Sequence, residues 1–259
     1  YNLKNNKNIS VPPNKFNYPI FNDNQLNIDE IKFSGINNIK KNLIINKIAI
    51  IEPGTTFLLD NNKSIIFKNK VKANGTIENP IKFIQLTNSA WGTIALLGKN
   101  AAYSELNNVI INGGSGAIID DIHYTSSLSL HGVNDVKITN LKISNNYNYD
   151  DAIHLVYCKN INFDNILVEN AYSDALDIDI SKNIDIKNST FLNPNNDSID
   201  LMESEVVIES TEIYGSGDKG ISVGKNSKVL IYNTYLKDNT IGLAVKDRSV
   251  ANIIHVDFN

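Results

Sequence analysis

The chain of 259 residues has one cysteine, one methionine and one tryptophan, and Arg248 is its only arginine. A lone cysteine closes no intramolecular disulfide, and Cys158 reads as a small filler rather than a reactive thiol. No apolar run is long enough for a membrane-spanning helix, and no secretory leader pattern is found. The sequence begins at Tyr1 rather than Met, so a processed or shortened chain is expected. A net charge of −4 argues against a surface that wraps nucleic acid. Long segments with a 3.6-residue apolar period are also missing, which excludes a fold that alternates strands with helices.

What the chain has in abundance is asparagine, 42 residues of it, together with short β runs. These runs include 43–51, 56–59, 64–67, 81–84 and 92–97, parted by turn signals such as Glu52-Pro-Gly54 and Asp60-Asn-Asn62. Residues 1–42 are polar and read as an extended arm or N-terminal cap; residues 43–259 read as one repeating domain.

The repeat is explicit further on. Ile153/Leu155, Leu176/Ile178, Ile199/Leu201, Ile221/Val223 and Leu243/Val245 step by 23, 23, 22 and 22. A fixed step of this size specifies a solenoid. Apolar residues at i and i+2 make each copy a strand with alternate side chains inward. A second set keeps the step: Val136/Ile138, Ile161/Phe163, Ile184/Ile186, Val206/Ile208 and Val229/Ile231. Asn140, Asn165, Asn188, Ser210 and Asn233 follow two residues later, an asparagine ladder at a bend.

Three outward columns follow from the same register. The first is Asp151, Asp174, Asp197, Lys219; the second is Ser129, His154, Asp177, Asp200, Ser222; the third is His131, Val156, Asp179, Met202, Gly224, Lys246. Stacked coils lie roughly 4.8 Å apart, so carboxylates in one column crowd each other. Such crowding raises a pKa or holds a cation, and a purely structural surface avoids like charges in register. Two readings compete for Asp151, Asp174 and Asp197, backbone capping and chemistry. Capping explains mid-strand Asp177 and Asp200 poorly.

These coils resemble the right-handed parallel β-helix superfamily of pectate lyases, polygalacturonases and related proteins, over roughly residues 43–259. The stretches Ile50-Ile-Glu-Pro-Gly-Thr-Thr56, Gly75-Thr-Ile-Glu-Asn-Pro-Ile-Lys-Phe83, Ser173-Asp-Ala-Leu-Asp-Ile178, Asp218-Lys-Gly-Ile-Ser-Val-Gly224 and Gly242-Leu-Ala-Val-Lys-Asp247 are similar to bacterial β-helix repeat proteins of unassigned activity. The resemblance implies an all-β fold, a single right-handed parallel β-helix with coils of about 22–25 residues. Against the polygalacturonase pattern, Tyr172-Ser-Asp174 resembles its Asn-Thr-Asp and Asn196-Asp197 its Asp-Asp. Asp218-Lys-Gly220 stands where that family has Gly-His-Gly, and Ala244-Val-Lys246 where it has Arg-Ile-Lys. One aspartate, the histidine and the arginine of that machinery are therefore missing.

The resemblance to β-helix lyases implies a different site, with Ca²⁺ among Asp174, Asp177, Asp197 and Asp200 and a lysine base. Lys219, Asp177, Asp200 and His154 are then the candidate catalytic residues, and Lys246, Arg248 and Tyr172 the candidate substrate-binding ones. The expected function is action on an acidic polysaccharide by elimination or epimerisation with calcium. The alternatives are a glycoside hydrolase using Asp177 and Asp200, with a separation near 5 Å suited to a retaining mechanism, and a non-catalytic glycan-binding, adhesin or structural solenoid. The expected partner is a polysaccharide, not nucleic acid and without membrane insertion. The expected place is secreted, periplasmic or on the cell surface.

Overall fold

The computed structural model describes residues 29–259. Within them the chain winds into a parallel β-helix. Nine strands stack in order as one parallel sheet: Leu43–Ile45, Ile65–Phe67, Ile94–Leu97, Ser126–His131, Asp151–Val156, Leu176–Asp179, Ile199–Met202, Lys219–Gly224 and Ile241–Val245. A 16-stranded sheet makes up the rest of each coil. The coils begin at Glu30–Phe33, which pairs in parallel with Ile48–Ile51, and Ile36–Ile39 pairs with Thr56–Leu59. Part of the segment read as an arm is thus coil, and residues 1–28 lie outside the described residues.

The sequence register is the observed register. Ile153 pairs with Leu176, Leu176 with Ile199, Ile199 with Ile221 and Ile221 with Leu243. Ile153, Leu155, Leu176, Ile178, Ile199, Leu201, Ile221 and Val223 are all buried in one continuous core. Burying each such side chain contributes about 1.5–3 kcal/mol, and a one-residue slip would turn the whole set outward. At the N-terminal end the core holds an aromatic stack. Phe57 and Phe83 lie face to face at 4.8 Å, and Phe33 meets Phe57 edge-on at 5.3 Å.

Asparagine serves the bends. Asn140, Asn165, Asn188 and Asn233 all take positive φ, with Ser210 in the same place. Asn tolerates this left-handed conformation better than most residues. The amides also link coils: Asn165 Nδ2 donates to Asn140 Oδ1 at 2.6 Å, and Asn140 Nδ2 to Asn107 Oδ1 at 3.1 Å. A second ladder was not legible in the sequence. The backbone N–H groups of Cys158, Ser181, Ser204 and Ser227 donate in turn to the hydroxyls of Ser181, Ser204, Ser227 and Ser249. Cys158 heads this ladder, buried, with burial pushing its thiol up to about 11. It is a filler, as its sequence context indicates.

One excursion breaks the parallel winding. Ala117–Ile119 and Ile122–Tyr124 form an antiparallel hairpin. Its two turn residues, Asp120 and Asp121, both have positive φ, the requirement of a tight type I′ connection. The root of the hairpin needs Gly116, because a Cβ there would strike the Tyr124 carbonyl and the Tyr149 ring.

Candidate functional site

The outward columns of the nine-stranded sheet form an acidic stripe. Ser129, His154, Asp177, Asp200, Ser222 and Ala244 are consecutive register partners. His131, Val156, Asp179, Met202 and Gly224 form the parallel column beside them. Asp177, Asp179, Asp200, Met202, Gly224, Lys225, Lys246 and Asp247 line an open groove of about 290 Å³. The groove joins Asp177, Asp200 and Lys246 of the expected site. Arg248 and Tyr172 lie outside its lining, and Tyr172 points to solvent at 53% exposure.

The first column has another role. Asp174 Oδ1 accepts the backbone N–H of Asp197 and the Asn196 amide, both at 2.7 Å. Asp197 Oδ1 accepts the backbone N–H of Lys219 at 2.8 Å. Each carboxylate caps the coil that follows, because the strand has not yet begun to pair and leaves that N–H free. Of the four aspartates of the expected calcium set, Asp174 and Asp197 thus each commit one oxygen to backbone.

Lys219, the expected base, ends this column. Its ammonium bonds to Asp218 and lies 3.4 Å from Asp197 Oδ1. The hydrogen bond to Asp218 and the charge of Asp197 raise its pKa. A base must shed its proton, and these neighbours hold it in place.

Asp151 differs from its column mates. It is almost fully buried; Oδ2 accepts a bond from Thr125 Oγ1 at 3.0 Å, and Oδ1 has no partner. Burial, with Asp177, Asp150 and Asp174 nearby, pushes its carboxyl up to about 9. Thr125 also meets His154 Nδ1 at 3.1 Å. The threonine thereby fixes the imidazole and turns Nε2 toward the stripe. That nitrogen is buried and unpartnered, 3.5 Å from Asp179 Oδ2 and 3.9 Å from Asp177 Oδ2. Thr125 gave no sequence signal, since it lies outside the repeating pairs.

Asp177 carries the main electrostatic result. Burial comes first, then the charges of Asp179 and Asp200, and together they push its carboxyl up to about 8. It is therefore protonated at neutral pH. Asp174 rises to about 6, again chiefly through burial. His131 moves the other way, to about 4, because it is desolvated and faces His154. It is a neutral imidazole with an unpartnered buried Nε2.

Among the described residues, His154, Asp177 and Asp179 place one ligand atom each within 4.8 Å of the others. An imidazole with two carboxylates suits a borderline transition metal, whereas calcium prefers an all-oxygen shell.

The family described as the right handed beta helix region matches residues 126–259, more than half of the chain, and this chain belongs to it. Its coils are right-handed. No curated protein sequence matches. Solved structures with similar winding include the catalytic domain of a GH87 α-1,3-glucanase in complex with tetrasaccharides. That likeness has a TM-score of 0.48 and 10% identity, over 86% of this chain and 64% of that one. The periplasmic alginate epimerase AlgG gives 0.42 and 9%, over 89% and 76%. The enzymatically active domain of bacteriophage CBA120 tailspike protein 2 gives 0.38 and 16%, over 84% and 39%. This chain thus spans less than two thirds of the glucanase domain. Among the described residues no helix is long and apolar enough to cross a membrane.

Proposed function

We propose that the acidic stripe binds a polysaccharide along the solenoid axis and hydrolyses its glycosidic bonds. The observation that carries this reading is the pairing of Asp177 with Asp200 on adjacent coils inside an open groove. Asp177 retains its proton at neutral pH, which supports its use as the general acid. Asp177 donates that proton to the glycosidic oxygen as the C1–O bond breaks. The Asp200 carboxylate attacks C1 and forms a glycosyl ester. Water then attacks C1 and gives its proton to Asp177, which frees Asp200 and restores the starting state. Adjacent coils set the two carboxyls roughly 5 Å apart, the spacing of retaining glycosidases. His154 acts as a positioning residue beside Asp177 and Asp179.

A neutral glycan suits the groove better than a uronate, because four of its lining residues are aspartates against two lysines, Lys225 and Lys246. Elimination from a uronate also lacks its expected base, since Lys219 is ion-paired. A surface-active hydrolase of this kind belongs outside the cell, where polymers are met. The test is a panel of soluble α- and β-glucans, mannan, xylan, polygalacturonate and alginate, followed by proton NMR of the fresh product. Retention of anomeric configuration is expected for a neutral polymer. Inversion rules out the Asp177/Asp200 pair, and no turnover of any polymer leaves a binding scaffold in its place.

A second reading has its own support. The unpartnered Nε2 of His154, facing Asp177 and Asp179, favours a divalent cation there. Its donor set points to Zn²⁺ or Mn²⁺ before Ca²⁺. Thermal melts with each ion decide between the readings. A rise in Tm with Zn²⁺ that is lost in His154→Ala supports the cation. Unchanged Tm with all three ions excludes it and leaves Asp177 free as an acid.

A further inference from the structure

The stripe is walled at one end. Its second column does not begin at Ser129. Ile66 and Ala95 are the outward register positions of the two preceding coils, paired to each other and then to Ser129. Both are almost fully buried, although their neighbours Ile65, Phe67, Ile94 and Leu96 already fill the inside. What covers them is the hairpin. Tyr124 packs with Ile66 and Ala95, and Ile119 and Ile122 pack on the same cluster. Lys68 and Asp120, 3.8 Å apart, tie the hairpin tip to a covered coil.

The inner end of this wall faces the acidic coils. Tyr124 stacks on His131 with centroids 4.9 Å apart, and His131 meets His154 edge-on at 5.3 Å. His131 Nε2 is buried and has no hydrogen-bond partner. Beyond His154 the groove runs over Asp177 and Asp200 toward Lys225, Lys246 and Asp247, away from the hairpin, while Ser222 in the column itself is buried. A polymer laid in the groove can leave it past Lys246, but it must stop at Tyr124 and His131.

We propose that the site recognises a chain end and releases short units from it, rather than cutting the polymer at internal bonds. This rests on the hydrolase reading above. The Asp177/Asp200 pair lies between two and three coils from the His131 coil, on the order of 10 Å. That length holds about two pyranose rings. The released unit is therefore a disaccharide or close to it. The stacked Tyr124 and His131 rings close that end, so the sugar that abuts them is a terminal one, because an internal ring would have to pass through the wall.

The experiment uses whichever polymer of the panel is turned over, labelled at the reducing end, with a second batch blocked at both ends. Expected are a product of one length from the first minutes, slow loss of viscosity per bond broken, and no action on the doubly blocked chains. A spread of intermediate lengths with rapid viscosity loss overturns end recognition while leaving the hydrolase reading intact. No turnover of any polymer overturns both. A variant in which a two-residue Asn-Gly turn replaces residues 118–123 lowers the wall and should admit internal bonds. Uncovering Ile66 and Ala95 can unfold that variant, so the product pattern of the unaltered protein is the deciding measurement. His131→Ala is the milder probe. It should raise KM for short end-labelled oligosaccharides at least about tenfold with kcat little changed, and equal KM for both proteins counts against the wall as a binding subsite.

Discussion

Asp177→Asn is expected to abolish hydrolysis and, at the same time, to make the protein more stable at pH 8. Loss of a general acid costs typically 10²–10⁴ in rate, so a fall of at least about 10³ is expected for a leaving group that needs the proton. The stability gain comes from linkage. An unfolded aspartate has a pKa of about 3.9, whereas burial and the charges of Asp179 and Asp200 lift Asp177 to about 8 in the folded protein. Below the lower value both states are protonated and the site costs nothing. Between the two values the folded state keeps a proton that the unfolded state has lost. Stability therefore falls as pH rises through this window and stops falling above its upper end. Asp174, lifted to about 6, and Asp151, lifted to about 9, act with the same sign. Asparagine mimics the protonated acid at every pH, and each pKa unit is worth about 1.4 kcal/mol. Thermal melts at pH 5, 6.5 and 8 should show a declining Tm for the wild type and a shallower decline for the variant. The gap should be widest at pH 8. A wild-type Tm that climbs across this range would mean that Asp177 is ionised and stabilised by a partner, and the acid role would go with it.

Phe57→Ala is expected to destabilise the protein by about 3–5 kcal/mol and to do so at one end only. Phe57 is fully buried, stacked on Phe83 at 4.8 Å and edge-on to Phe33 at 5.3 Å. Removing the middle ring leaves a cavity bordered by two rings on adjacent coils, which the paired strands hold apart. Each coil of a solenoid contacts its neighbours and little else, so its stability is close to a sum of local terms. Hydrogen exchange should quicken through the coils of residues 30–97 and stay near wild-type rates in 176–245. Turnover at moderate temperature should persist, because the acidic groove lies several coils away. Uniform loss of protection along the whole chain would show instead that the solenoid unfolds as one unit.

Much of this protein follows from its sequence alone, for a physical reason. A parallel ladder repeats one backbone geometry, so the 22–23 residue step that places Leu176 over Ile153 also places Asp177 over His154 and Asp200 over Asp177. Alternation then sends Ile178 and Leu201 inward and leaves the aspartates out. The asparagine content is likewise legible, because bends at Asn140, Asn165, Asn188 and Asn233 need a residue that tolerates positive φ. What the period does not carry is anything lying between strands or depending on which atoms meet. The tertiary structure alone turned Asp174 and Asp197 onto backbone amides and ion-paired Lys219 with the adjacent Asp218. It brought Thr125 to His154 and grouped Asp179, rather than Asp200, with His154 and Asp177. It also folded residues 117–124 across Ile66 and Ala95. A hairpin inserted once has no copy to betray it, and a side chain's partner is set by distances that only the packed coils define.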